Sequence, residues 1–171
     1  AFFNGLEEDF TLDIVTKDVT LKRELTGIKN LQIYCDLTPN SPRLKQLYAQ
    51  ADIFVFPTEA DCFAMVASEA MAAGLPVITT NIGGICEQVE HGVNGLIVPP
   101  SDPAALAIAL QTLKNNPAKI AAMAAASRQI AEKRLDAQNN YGAIFNLMKK
   151  ISQKSTLLKN RAKIVTQSSR F

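Results

Sequence analysis

The sequence predicts an α/β fold, a Rossmann-like parallel sheet with helices on both faces. Five short apolar runs, rich in β-branched residues, have the pattern of buried strands. Segments with helical spacing separate them, and parallel neighbours in a sheet need such crossover connections. The 171 residues, of which 47% are hydrophobic, fit one ordinary domain with a substantial core.

The predicted strands alternate with helices along the first hundred residues. They cover residues 11–15, 31–35, 52–57, 76–80 and 95–98. The third run is almost continuously apolar, which is typical of a central strand covered on both faces. Ser41 and Pro42 form the N-cap and first position of a helix between the second and third strands. A small-residue helix over about 63–73 ends at Gly74, and a short helix over about 83–91 leads to the last strand.

Three further helices are predicted after the last strand. One follows Asp102, with Leu106, Leu110 and Leu113 on its inward face. A second begins at Asn116–Pro117, and a third begins near Asp136 and reaches Ile151. We therefore expect a domain over 1–151, with its C-terminal helices from about 103.

Residues 152–171 are rich in Lys and Arg and lack acidic residues. They are expected to form a basic tail, helical or disordered. Such a tail leaves open weak contact with an anionic membrane surface.

Composition excludes several classes of protein. The 18 basic and 16 acidic residues are mixed along most of the chain, so the net charge of +2 does not indicate a nucleic-acid partner. The three cysteines are odd in number and lack metal-ligand spacing, so we expect free thiols and no metal site.

The sequence has no secretory signal and no apolar run near the ~20 residues of a membrane span. We expect a cytoplasmic protein. Because the chain opens without Met, we expect it to be part of a longer one.

Two carboxylates flank the start of the helix after the third strand. Asp61 lies in the loop, and Glu69 lies about midway along the helix. The first turn of that helix, at Phe63, Ala64 and Met65, presents backbone N–H groups at the carboxyl edge of the sheet, where open α/β sheets bind ligands. This edge is therefore a candidate diphosphate site.

Glu69 is unusual because it interrupts an apolar helix, in which Val66, Ala70 and Ala73 are expected to pack on the sheet. Adjacent ribose hydroxyls would satisfy such a carboxylate, although simple surface exposure explains it equally well. The small side chains of Ala60, Ala64 and Ala67 would let a ligand or a neighbouring backbone come close.

The remaining polar and glycine positions give weaker signals. Gly83 and Gly84 follow the fourth strand, where they either admit a ligand or form a simple turn. The single histidine, His91, is expected to be a surface loop residue. Cys62 could line the pocket, and Cys86 is expected to be a packing residue.

Three motifs in combination carry a resemblance. EAMAAGLPV covers residues 69–77, GGICE covers 83–87 and GVNGLIVPP covers 92–100. With the spacing of Asp61 and Glu69, they resemble the donor-binding, C-terminal half of retaining glycosyltransferases of the GT-B fold, the family called group 1 or family 4. The resemblance covers about residues 51–110.

The resemblance implies transfer of a hexose from a UDP-, GDP- or ADP-sugar to an acceptor hydroxyl with retention, without an obligatory metal. It assigns the ribose to Glu69 and makes Asp61, which replaces a family glutamate, the catalytic carboxylate facing the sugar. Glu59 is a nearby carboxylate, out of register by two positions. The implied donor site comprises Asp61, Cys62, Phe63, Ala64, Met65, Glu69, Gly83 and Gly84.

Some family features are not found in this sequence. The acceptor-binding domain and the basic pair that neutralises the diphosphate are not found, so we expect the chain alone to be inactive. Thr16-Lys17-Asp18 also stands where the family has a glycine-containing turn. Two alternatives remain: a non-catalytic nucleotide-binding or interaction module derived from a glycosyltransferase, and a relative of the sucrose synthase or sucrose-phosphate synthase type.

Overall fold

The computed structural model describes residues 10–168, with side chains described for residues 10–154. Five parallel strands alternate with helices, which confirms the predicted α/β class. The strands are β1 (Leu12–Val15), β2 (Leu31–Tyr34), β3 (Phe54–Phe56), β4 (Val77–Thr80) and β5 (Gly95–Val98). The helices are α1 (Leu21–Glu24), α2 (Pro42–Gln50), α3 (Met65–Ala72), α4 (Ile85–Gln88), α5 (Pro103–Lys114), α6 (Pro117–Arg134) and α7 (Ala137–Ser168).

The strands form two hydrogen-bonded groups rather than one continuous sheet. β1 pairs with β2, and the second group has the order β3-β4-β5. Within residues 10–168, β3 lies at the edge of its group with half-buried residues and the fully buried β4 is central, which contradicts the prediction of a central third strand. In the doubly wound order 3-2-1-4-5-6, the first strand in sequence lies between a pair of strands and a group of three strands. No strand within residues 10–168 occupies that place.

The core lies between the second sheet and the helices that follow it. Its buried residues come from β4, β5, α5 and α6: Ile78, Leu96, Val98, Ala109, Leu113 and Met123. Asp102 begins α5 as predicted, since its side chain accepts a hydrogen bond from the Ala105 N–H at 2.9 Å. Of the leucines predicted to face inward, Leu113 is fully buried, whereas Leu106 and Leu110 are half-buried.

The chain divides into two compact units, one up to Ala131 and one from Glu132. α7 forms most of the second unit and continues without a break through most of the predicted basic tail, whose last residues, 169–171, lie outside the described residues. α7 exposes six large apolar side chains: Tyr141, Ile144, Phe145, Leu147, Met148 and Ile151. Among the described residues, no helix combines the length and hydrophobicity needed to span a membrane.

Candidate functional site

The loops that follow β3 and β4 meet at the carboxyl edge of the second sheet. The Thr80 hydroxyl donates to the carbonyl oxygen of Thr58 at 2.5 Å, which ties the end of β4 to the start of the first loop. The N–H of Gly84 donates to the carbonyl oxygen of Cys62 at 2.9 Å, which joins the two loops again further out. These two hydrogen bonds hold the loops that carry the predicted site residues next to each other.

The glycine pair serves this loop contact. Gly83 has φ +54°, a left-handed conformation that favours glycine, and a Cβ at this position would overlap the carbonyl oxygen of Asp61. A Cβ at Gly84 would lie 2.6 Å from the carbonyl oxygen of Cys62. The chain's own backbone requires both glycines, whereas their contact with a ligand stays a prediction.

The first turn of α3 is exposed at the same edge. Its N-cap residue, Ala64, makes no side-chain capping bond, so the helix start lacks the usual Ser, Thr, Asp or Asn oxygen. Asp61 Oδ1 instead accepts a hydrogen bond from the N–H of Phe63 at 2.9 Å, which engages one of the amides predicted to hold phosphate. Phe63 and Met65 are 42% and 66% exposed, and Cys62 is exposed beside them.

The small side chains on α3 do not line an open site. Ala64 and Ala67 are 1% and 0% exposed, so they pack inside the protein. Their small size therefore allows close packing of neighbouring protein groups, and their contact with a ligand stays a prediction. The buried face of α3 also differs from the predicted one, which comprised Val66, Ala70 and Ala73. Ala67, Ala70 and Met71 are buried, whereas Val66 and Ala73 are exposed.

Glu69 is half-buried and has a protein partner. The hydroxyl of Tyr48, on α2, donates a hydrogen bond to Glu69 Oε2 at 3.1 Å. The Tyr48 ring lies against Phe54 of β3, with a centroid distance of 5.8 Å. Burial first, and then the negative charge of Glu69, raise the pKa of Tyr48, so the phenol remains a protonated donor at neutral pH.

Sequence reasoning missed the role of Tyr48. The residue follows the spacing of Leu44, Leu47 and Ala51, which predicts an apolar helix face, and its hydroxyl gives no signal in that pattern. A half-buried tyrosine needs a hydrogen-bond partner for its O–H. That requirement, combined with the unexplained carboxylate in α3, was the one available signal.

A second missed residue supports α3 from α4. Gln88 is 2% exposed, and its Nε2 donates to the carbonyl oxygen of Ala64 at 3.2 Å and to Ser68 Oγ at 2.6 Å. These bonds fix the short helix α4 against the first turn of α3. The glycine pair therefore contacts the loop before α3, and Gln88 contacts the first turn of α3.

The other polar candidates have structural roles. Glu59 accepts a hydrogen bond from the Ser101 hydroxyl, in the wall of a depression of about 260 Å³ between the loops after β3 and β5. His91 Nδ1 accepts from the N–H of Ile97 at 3.0 Å on the surface, which fits the predicted loop role. Cys86 is exposed, with its thiol 2.7 Å from Asn81 Oδ1, so the prediction that it packs inside was wrong.

The three cysteines are free thiols, as predicted. Within the described residues, no group of three or more His, Cys, Asp or Glu side chains could hold a metal ion.

Comparison with known families decides the relationship. The family model described as glycosyl transferases group 1 matches residues 3–116. The chain belongs to this family. An uncharacterized glycosyltransferase of Methanocaldococcus jannaschii is 46% identical to this group 1 glycosyltransferase chain over 81 residues, which are 47% of the chain and 20% of the relative. The chain therefore spans about a fifth of that relative's length.

Solved structures share the fold of this group 1 glycosyltransferase chain. Sucrose-phosphate synthase from Thermosynechococcus elongatus matches with a TM-score of 0.73 and 24% identity over 84% of this chain and 39% of its own. HepE of Anabaena, solved in complex with UDP-glucose, matches with a TM-score of 0.64 and 28% identity over 76% of this chain and 35% of its own. The chain is thus the donor-binding, C-terminal domain of a GT-B group 1 glycosyltransferase, as predicted.

Proposed function

We propose that the parent protein transfers a hexose from a nucleoside-diphosphate sugar to an acceptor hydroxyl with retention of configuration. The observation that carries this proposal is the placement of Glu69 one helical turn below the exposed start of α3. Four residues of α-helix rise by about 6 Å, so the backbone of Glu69 lies about that far along the helix axis from the backbone of Met65. The group 1 match over residues 3–116 favours this function over a non-catalytic module.

Each part of the donor has a proposed partner at this edge. Glu69 accepts hydrogen bonds from the ribose hydroxyls, for which a carboxylate is well suited. The first-turn amides of α3 and the positive end of its dipole face the diphosphate. Asp61, in the adjoining loop, is proposed to face the transferred sugar, with Cys62, Phe63, Gly83 and Gly84 around it.

We propose UDP as the nucleotide because HepE, 28% identical, was solved with UDP-glucose. In this proposal no metal is required, and the α3 dipole stabilises part of the negative charge on the departing diphosphate. A partner domain supplies the acceptor site and the remaining cationic groups. The chain alone is then expected to bind the donor and transfer no sugar.

Ligand-induced stabilisation tests the donor site. The 171-residue protein is titrated with UDP, GDP, ADP and their glucose conjugates, and its Tm is followed. A ligand at about 100 times its Kd stabilises by about 2.7 kcal/mol, or roughly 5–10 °C for a domain of this size. Glu69→Gln should weaken binding about tenfold because it removes the charge from the ribose hydrogen bonds. The matched control is Glu24→Gln on the exposed surface of α1; no shift with any nucleotide contradicts the proposal.

For location, we propose a cytoplasmic protein that contacts the membrane surface weakly through its basic C-terminal segment. α7 contains six Lys or Arg and no acidic residue, and its described part exposes large apolar side chains. Sedimentation with vesicles tests this proposal. Binding to phosphatidylserine vesicles that falls with added salt supports it, and equal sedimentation with pure phosphatidylcholine vesicles contradicts it.

A further inference from the structure

Glu69 reaches its position with the help of a residue from a different helix. Tyr48 lies on α2, which precedes β3, whereas Glu69 lies on α3, which follows β3. Their side chains meet at 3.1 Å between the phenol oxygen and Oε2. The contact spans 21 positions of sequence, so it fixes the carboxylate relative to a part of the fold outside its own helix.

The hydrogen bond from Tyr48 occupies one of the two carboxylate oxygens of Glu69 and leaves the other available. Tyr48 has one O–H to donate, and Oε2 accepts it, so Oε1 keeps its full acceptor capacity. A glutamate side chain otherwise loses rotamer freedom when a ligand fixes it. A carboxylate that is already held meets a ligand without that cost, which is the general benefit of preorganisation.

The phenol itself is firmly held. Its ring is half-buried and packs against Phe54, whose own ring lies 6.3 Å from that of Phe56 in the same strand. The hydroxyl remains protonated because burial and the charge of Glu69 both disfavour the phenolate, which raises the pKa of Tyr48. The direction of the hydrogen bond, from Tyr48 to Glu69, is therefore fixed.

We propose that Tyr48 is the positioning residue for ribose recognition: by holding Oε2 of Glu69, it presents Oε1 to the ribose hydroxyls of the bound nucleotide. This inference rests on the proposed donor site, in which Glu69 contacts the ribose. Tyr48 itself does not touch the ligand in this arrangement. Its effect on affinity must therefore depend on the presence of the hydroxyls that Glu69 binds.

The test is Tyr48→Phe, which removes the hydroxyl and keeps the ring against Phe54. Calorimetry measures the Kd of the full 171-residue protein for UDP and for 2′,3′-dideoxy-UDP. We expect Tyr48→Phe to weaken UDP about three- to tenfold, the effect of one hydrogen bond, and to leave the weaker dideoxy ligand unchanged. Tyr141→Phe, at a position 71% exposed on α7, is the matched control and should alter neither Kd.

The outcomes separate the inference from the proposed function. An equal loss for both ligands means that Tyr48 only supports the fold, and an unchanged Kd for UDP means that it does not act on the ribose; either result overturns the inference alone. If the unaltered protein does not discriminate UDP from its dideoxy form, the ribose role of Glu69 fails, and the inference fails with it. If it binds neither ligand, the UDP site itself is wrong.

Discussion

Gly83 has no room for a side chain because the carbonyl oxygen of Asp61 stands where its Cβ would be. The loop after β4 is thereby packed directly onto the loop that carries the candidate sugar-facing carboxylate. The adjoining bond from the Gly84 N–H to the Cys62 carbonyl oxygen fixes the same contact. The position of Asp61 therefore depends on a residue 22 positions later that offers only backbone.

Gly83→Ala should destabilise the protein by about 2 kcal/mol or more, because it adds a steric clash to a left-handed backbone conformation. Gly92→Ala is the matched control, since Gly92 has φ +83° and, apart from Gly92 and its two chain neighbours, no described residue has an atom within 4 Å of the point where its Cβ would stand. It should cost only the conformational term, about 1 kcal/mol. Urea unfolding measures both values. Equal losses in the two variants would contradict the packing role of Gly83.

Asp61→Asn should leave stability within about 0.5 kcal/mol of the unaltered protein, because an amide oxygen can still accept from the N–H of Phe63. Asp61→Ala removes that acceptor and should cost about 1 kcal/mol. Urea unfolding of both variants, read by circular dichroism, measures the difference. If the asparagine variant were as unstable as the alanine variant, the bond from Phe63 would not explain the conformation of this loop.

Tyr48 should make the protein sensitive to alkaline pH. Its pKa is raised on folding, by burial first and by Glu69 second, so the folded state holds the phenolic proton more tightly than the unfolded state does. The resulting stability is fully present below the unfolded pKa of about 10 and is lost as pH rises above that value. In urea unfolding between about pH 8 and about pH 11, Tyr48→Phe should lose less stability than the unaltered protein. Parallel losses would show that another group causes the effect.

Asp18 should contribute to stability at neutral pH and cease to do so in acid. Its Oδ1 accepts hydrogen bonds from the Thr20 hydroxyl at 2.6 Å and from the Thr20 N–H at 2.8 Å, which lower its pKa. This stability is present above the unfolded pKa and disappears as pH falls through the lowered folded pKa. Asp18→Asn should therefore lower Tm at pH 7 and not in acid. In a Thr20→Val background, the effect of Asp18→Asn at pH 7 should shrink, and an undiminished effect would contradict the assignment.

The helix boundaries followed from local chemistry, and the pairing of the strands did not. Ser41 with Pro42 and Asp102 with Pro103 each begin a helix because a capping oxygen and a proline act within a few residues. An apolar run such as 52–57, in contrast, predicts burial without saying which strand lies beside it. The half-buried edge strand β3 was for that reason mistaken for the central one.

The site shows the same division. The family motifs predict Asp61 and Glu69 as site residues because those residues are separated by a fixed stretch of loop and helix. The hydrogen-bond partner of Glu69 comes from α2, and the donor to the Ala64 carbonyl oxygen is Gln88, 24 positions away. Contacts of this kind depend on how separate helices pack, for which the spacing of residues along the chain gives no rule.

The division of the strands into two groups leaves strand margins at which another extended segment can pair. One side of β1 and one side of β3 have no strand partner among residues 10–168. A row of backbone N–H and C=O groups at such a margin can pair with an extended segment of another molecule, which is a known route to aggregation. Within the part of the chain that the structure describes, these margins are therefore where an extended segment of another molecule would pair.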